Sequence, residues 1–209
     1  MTASVTSLSP RRTTLADTLP GAATRDAVLV VGFALLTAVA AQVSIPLGFT
    51  PVPLTGQTFA VLLAGGTLGA ARGAASQLLY LAMGLVLPFY ADGSKGWDVL
   101  SGTTGGYLVG FVIASALVGW MSERGQDRKI GTAIPAFLAG TALIYTLGAL
   151  WLGHEIDVPF TAAAGEPSAI AYGVAPFLVG DVIKALLAGV LLPAAWGVRT
   201  IVEGERPND

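Results

Sequence analysis

Five stretches of this chain, at about 27–45, 55–70, 74–90, 105–121 and 132–153, contain no Asp, Glu, Lys, Arg or His, and a sixth, about 174–198, contains only Asp181 and Lys184. A bilayer core is crossed by about 20 apolar residues of helix. Backbone N–H and C=O groups in lipid must bond within their own segment, so helices are the expected form. The runs therefore predict an all-α membrane protein with six transmembrane helices. Composition points the same way: 11% of the 209 residues are charged, against about 25% in a soluble domain. So few charges do not cover a water-facing surface.

The second run is short and rich in glycine, and only Ala71-Arg72-Gly73 separates it from the third. Residues 1–25, polar and rich in Ser, Thr and Pro, read as a disordered cytoplasmic tail, residues 26–200 as the membrane domain, and 201–209 as a second cytoplasmic tail. Arg11 and Arg12 precede an apolar run containing Ala38-Val39-Ala40, which has the small residues of a leader cleavage site. The run is long enough to span as it stands and is read as a helix.

Lys and Arg are retained on the cytoplasmic side of short loops. With both termini inside a plasma membrane, nine of the eleven fall inside, Lys95 alone falls outside, and Lys184 is embedded. The outer segments are then 46–54, 91–104 and 154–173, and the inner ones 71–73 and 122–131. Among the segments between spans, the outer ones hold most of the Pro, Gly and aromatic residues, which suits a capping role.

A net charge of −2 suggests no nucleic-acid partner, and the absence of cysteine excludes disulfides, thiolate metal sites and cysteine nucleophiles. His154, Glu155 and Asp157 read as solvated residues at a helix end rather than metal ligands. The glycine-rich 91–106 segment lacks the G-x-x-x-x-G-K-[ST] pattern of a phosphate cradle. No bound cofactor is expected. The spans offer no His or Cys to activate a reaction, so the chain does not read as an enzyme.

Charges inside a span are costly and usually face a cavity, a partner or a substrate. Asp181 and Lys184, spaced i, i+3, share a helix face, and counting from Val174 puts them about 10–15 Å below the outer end of the sixth helix. They suit the polar floor of a small-ligand site: Asp supplies acceptors for N–H groups, Lys a cation or donors for a carboxylate or carbonyl. A self-satisfied ion pair tying helices together is the structural alternative. A stand-alone ion-coupled carrier cycling a proton on Asp181 is the functional one. The stiff segment from Ser44 to Gln57 has three prolines in eight residues and either covers a ligand or simply connects helices. Gln57 is a candidate polar contact, and Trp97 and Tyr107 are candidates to stack on a ligand or to anchor the interface.

Small residues recur at four-residue spacing, which permits close helix packing in lipid. The pattern includes Ala34 and Ala38, then Gly65, Gly69 and Gly73, then Gly106, Gly110 and Ala114. Internal packing and a face for a membrane partner both fit.

Three ordered motifs, Ser44-Ile-Pro-Leu with Thr50-Pro-Val-Pro-Leu-Thr and Gln57-Thr-Phe-Ala-Val-Leu-Leu-Ala-Gly, Thr104-Gly-Gly-Tyr-Leu-Val-Gly-Phe, and Phe177-Leu-Val-Gly-Asp-Val-Ile-Lys-Ala, resemble the BioY family over residues 27–198. These are the biotin-specific S components of energy-coupling factor (ECF) transporters. The resemblance implies a six-helix S-component fold and an outward-facing biotin pocket, with biotin as transported substrate bound through Asp181 and Lys184. It implies that Ala34 and Ala38 dock on a transmembrane coupling subunit driven by two cytoplasmic ATPase subunits. Self-association of the isolated chain is left open. The segment 154–173, with Glu166-Pro167, has no place in the pattern.

Overall fold

The computed structural model describes residues 14–19, 21–163 and 165–204 and is mostly helical. Helix α1 (Ala22–Gln42) leads into two short antiparallel strands, β1 (Ser44–Ile45) and β2 (Leu54–Thr55), with Ser44 opposite Thr55. Helices α2 (Gln57–Leu68), α3 (Ala70–Gly84), α4 (Trp97–Ser101), α5 (Gly105–Ser122), α6 (Ile130–Glu155), α7 (Ala169–Gly173) and α8 (Leu178–Gly204) follow.

Among the described residues, four helices are long and apolar enough to cross a membrane: α1, α5, α6 and the Leu178–Val198 part of α8. Helices α2 and α3, with 12 and 15 residues, reach about 18 and 22 Å at 1.5 Å per residue, short of a core about 30 Å thick. The expected six full-length spans are thus four long helices and two short ones. The second run loses its first residues to β2 and stops at Gly69, and the third stops at Gly84, where the Tyr90 ring occupies the space a Cβ would need. Burial relieves α2 of matching the lipid, since Ala60, Val61, Leu62, Ala64 and Leu68 are enclosed by other helices.

A single residue, Gly69, joins α2 to α3 at φ +86°, a left-handed value suited to glycine. Ala71-Arg72-Gly73, expected as an inner loop, instead forms the first turn of α3. The α3 N-terminus is capped from another element, the Ala70 N–H donating to Glu123 Oε1 at 2.9 Å.

Helix α5 lies at the centre, packed on α2, α3 and α6, while α8 lies on α6 and α2 and α1 on α3 and α2. The small-residue runs make these approaches possible. A Cβ on Gly65 of α2 would stand 2.5 Å from the Ser115 carbonyl oxygen of α5, and one on Gly106 of α5 would stand 2.5 Å from the Leu147 carbonyl of α6. Ala34 and Ala38 of α1 are likewise buried, in the core that also holds Tyr80 and Tyr90. They are packing residues in this chain. The outward face of α1 instead exposes Val28, Val31, Leu35 and Val39.

The N-terminal segment is more ordered than its composition suggests. Residues Leu15–Thr18 form a 3-10 turn started by Thr14, whose side chain and backbone N–H both bond Asp17, and α1 already begins at Ala22. Arg72 of α3 reaches Asp17 and Asp26, each at 2.9 Å, and Arg25 pairs with the same two carboxylates. Burial alone would raise the Asp17 carboxyl, but hydrogen bonds from Arg72 and Thr14 outweigh it and hold it below the usual carboxylate value. Helix α8 continues to Gly204, past the expected tail boundary. The rest of the expected tails, 1–13 and 205–209, lies outside the described residues.

Close packing at Gly65 yields a first prediction. Gly65→Ala forces α2 and α5 apart and is expected to cost about 1–3 kcal/mol, read as a lower unfolding temperature in detergent. Gly32→Ala, with nothing within 4 Å of the added methyl, is expected to leave that temperature unchanged or slightly raised. Equal unfolding temperatures for the two variants would contradict the α2–α5 contact.

Candidate functional site

Asp181 and Lys184 sit at the start of α8, as its fourth and seventh residues. Residues 174–177 form turns ahead of the helix, so the pair lies about 5 and 9 Å along the helix axis, shallower than a count from Val174 gives. Neither is exposed nonetheless, and residues 51–55 of the proline-rich loop and β2 line the same cavity. Asp181 is 3% exposed. Its place in the first helical turn also sets the carboxylate against the positive end of the helix dipole.

The pair is fully engaged. Lys184 Nζ donates to Asp181 Oδ1 at 2.6 Å and to the Thr55 carbonyl at 2.5 Å. Thr58 Oγ1 donates to the same carboxylate oxygen at 3.1 Å, and the Tyr145 hydroxyl donates to Oδ2 at 2.8 Å. Helices α2, α6 and α8 therefore meet on one carboxylate, and strand β2 is tied to it through Lys184. Burying two charges costs several kcal/mol per ion unless their remaining polar valences are met, and this arrangement meets them. A metal ion is a poor fit here, since Asp181 is the only anionic side chain at this floor and Lys184 already neutralises it.

These groups form the floor of a cavity of about 270 Å³. Its wall is mostly apolar, with Val52, Leu54, Leu108, Phe111, Ile144 and Phe177, and its mouth carries Asp92 and Ser94. A small metabolite fits such a space and a polypeptide does not.

Four of the five ligand residues expected from sequence, Asp181, Lys184, Gln57 and Tyr107, line this cavity. Trp97 does not. It begins α4 at 67% exposure, outside the cavity wall. The Gln57 amide is occupied at both ends, donating to Tyr80 OH at 2.6 Å and accepting from Thr55 Oγ1 at 2.9 Å. The Tyr107 hydroxyl donates to the Gly173 carbonyl at 2.7 Å, and its ring fills the space beside Gly148. Both residues shape the cavity while bonding to the protein.

Sequence reasoning missed Thr58, Tyr145 and Phe177. Thr58 directly follows Gln57 and Tyr145 is a lone phenol in an uncharged run, but neither has a spacing that links it to Asp181. The 154–173 segment, unplaced from sequence, is bonded to two elements that line the cavity. Thr50 Oγ1 donates to the Tyr172 carbonyl at 2.8 Å, tying the proline-rich loop to α7, while Tyr107 holds the next residue.

The BioY family pattern matches residues 9–200. The "Biotin transporter BioY" of Rhizobium etli is 35% identical over 177 residues, covering 80% of this chain and 91% of that protein. The "Probable biotin transporter BioY" of Pyrococcus horikoshii is 38% identical over 174 residues, covering 83% and 97%. A crystal structure of the S-component for biotin from an ECF-type ABC transporter is similar with a TM-score of 0.72 at 25% identity, spanning 82% of this chain and 90% of that one. With a matched pattern that runs nearly the length of the chain, this protein belongs to the BioY family.

Proposed function

We propose that this chain is the substrate-capturing subunit of a biotin transporter, a membrane protein that binds biotin in the Asp181–Lys184 cavity. The observation that carries the reading is a largely buried, well-bonded ion pair lining a metabolite-sized, mostly apolar cavity in a chain of this family. Biotin combines an apolar thioether ring and alkyl chain with a urea and a carboxylate. Phe111, Ile144 and Phe177 suit the first part. Asp181 supplies an acceptor for urea N–H groups, and Lys184 supplies a donor for a carbonyl or carboxylate. Because both already have partners, the ligand replaces existing bonds, which favours a molecule carrying both donor and acceptor groups.

The chain crosses the membrane six times in this reading, with the enclosed α2 and the one-side-exposed α3 completing the bundle as short helices. Both termini are cytoplasmic, because nine of the eleven Lys and Arg lie in the sequence segments that this orientation puts inside. Biotin is taken from the outer side. Inward delivery depends on a transmembrane coupling subunit and two ATPase subunits, since no nucleotide-binding pattern exists in this sequence.

Isothermal titration of the purified chain with biotin is the direct test. Saturable heat is expected; silence with biotin, or heat only with a different vitamin, removes biotin as the ligand. Asp181→Asn and Lys184→Met are each expected to weaken binding by about 10-fold to 100-fold, the size of a lost charge-assisted hydrogen bond. Each single change also leaves an unmatched buried charge or dipole and lowers the unfolding temperature. The Asp181→Asn/Lys184→Met double variant should regain much of that thermal loss without regaining affinity. Wild-type affinity in the double variant would reject this site.

Tyr145→Phe removes one bond to Asp181 Oδ2 and is expected to reduce affinity by about ten-fold. Trp97→Ala should leave affinity within error of wild type. A large loss in the Trp97 variant would place the ligand against α4 rather than over α8.

A further inference from the structure

At the end of the bundle opposite the cavity, the loop 123–129 between α5 and α6 contains two acidic and three basic residues: Glu123, Asp127, Arg124, Arg128 and Lys129. Folding separates the two signs. Glu123 is turned inward to accept the Ala70 N–H, and Asp127, 2% exposed, accepts the Trp196 indole N–H at 2.6 Å. Arg124, Arg128 and Lys129 are all exposed. A loop of nearly balanced composition therefore presents a cationic surface.

Two tryptophans fix the depth of that surface. The Arg124 guanidinium lies 3.5 Å from the Trp120 ring centroid and the Arg128 guanidinium 4.7 Å from that of Trp196, and tryptophan concentrates at the headgroup level of membranes. Arg124 uses one N–H on the Trp120 carbonyl, which leaves most of a stacked, pre-oriented fork for an anion. Directly above it along α5, Val109, Ile113 and Trp120 are 42%, 44% and 46% exposed. Ile113 and Trp120 stand seven residues apart, on one helix face. An apolar stripe thus runs along α5 toward the exposed cations of the loop.

We propose that this surface is a binding site for an anionic phospholipid, with an acyl chain along the α5 stripe and the headgroup phosphate held by Arg124 and Lys129. The stripe distinguishes a lipid from an acidic protein surface, which would need no aliphatic track. The site is independent of the biotin cavity and of its reading.

The test uses the purified full-length chain in nanodiscs of phosphatidylcholine, with and without phosphatidylglycerol, followed by native mass spectrometry and thermal unfolding. Phosphatidylglycerol is expected to be retained preferentially and to raise the unfolding temperature, with both effects weakening at high salt. Lys129→Gln removes no hydrogen bond or ion pair among the described residues, so its folding is not at issue. It should lower phosphatidylglycerol affinity about five-fold, and Arg124→Gln/Lys129→Gln about five-fold more. Lys95→Gln, at the other end of the molecule, should change nothing. Equal retention of the two lipids overturns the proposal, as does equal stabilisation by inorganic phosphate in detergent. Loss of coupled uptake in the double variant without any lipid preference would overturn it in favour of a protein partner.

Discussion

The carboxylate of Asp181 is the point on which the cavity end of this molecule depends. It accepts from Lys184 on its own helix, Thr58 on α2 and Tyr145 on α6, while Lys184 also binds the Thr55 carbonyl at the end of β2. A charge in this environment is tolerated only when its bonds are met. Four elements are consequently held in one relative position by a group whose isolated burial would be prohibitive. The same bonds keep polar atoms at the floor of a mostly apolar cavity, where a ligand with both donors and acceptors can exchange for them. Structural and binding roles are therefore one arrangement, and the ion pair is at once a helix tie and a candidate ligand site.

Around that point the bundle is built on small residues. Glycines on α2 and α5 bring backbones within a distance that no larger residue permits, and Gly69 lets α3 begin one residue after α2 ends. Close approach allows α2, too short to span a bilayer alone, to be enclosed by its neighbours, and lets the short α3 pack on α1, α2 and α5. Their polar backbone ends are then satisfied inside protein, as where Glu123 caps Ala70, rather than left in lipid. The opposite end is closed by an ion network in which Arg72 and Arg25 share Asp17 and Asp26, so segments of polar composition at the membrane edge are ordered by charge pairing.

Several residues sit where sequence alone does not place them, for related reasons. Ala34 and Ala38 have the spacing of a partner face, but spacing alone does not say which neighbour a smooth helix face meets, and here it meets the chain's own core. Trp97 is aromatic and sits in an outer segment, yet α4 turns it away from the cavity. The start of α8 was placed four residues early because the apolar run continues through 174–177, where hydropathy does not distinguish turn from helix. The 154–173 segment is tied to the proline-rich loop through a Thr50 side chain 122 residues from its partner, a pairing with no local signature.

The sequence by itself determined the solvent, the apolar helices and the two charges that lie within them, because each of these follows from local composition and the cost of a charge in lipid. It also carried the family motifs. Only the tertiary structure decided which polar partners Asp181 and Lys184 have, that α2 and α3 are short, and that the small-residue faces are turned inward. Those outcomes depend on contacts between residues far apart in the chain, and the hydrophobic pattern of a helix in lipid, apolar on nearly every side, holds little information about which side faces a neighbour.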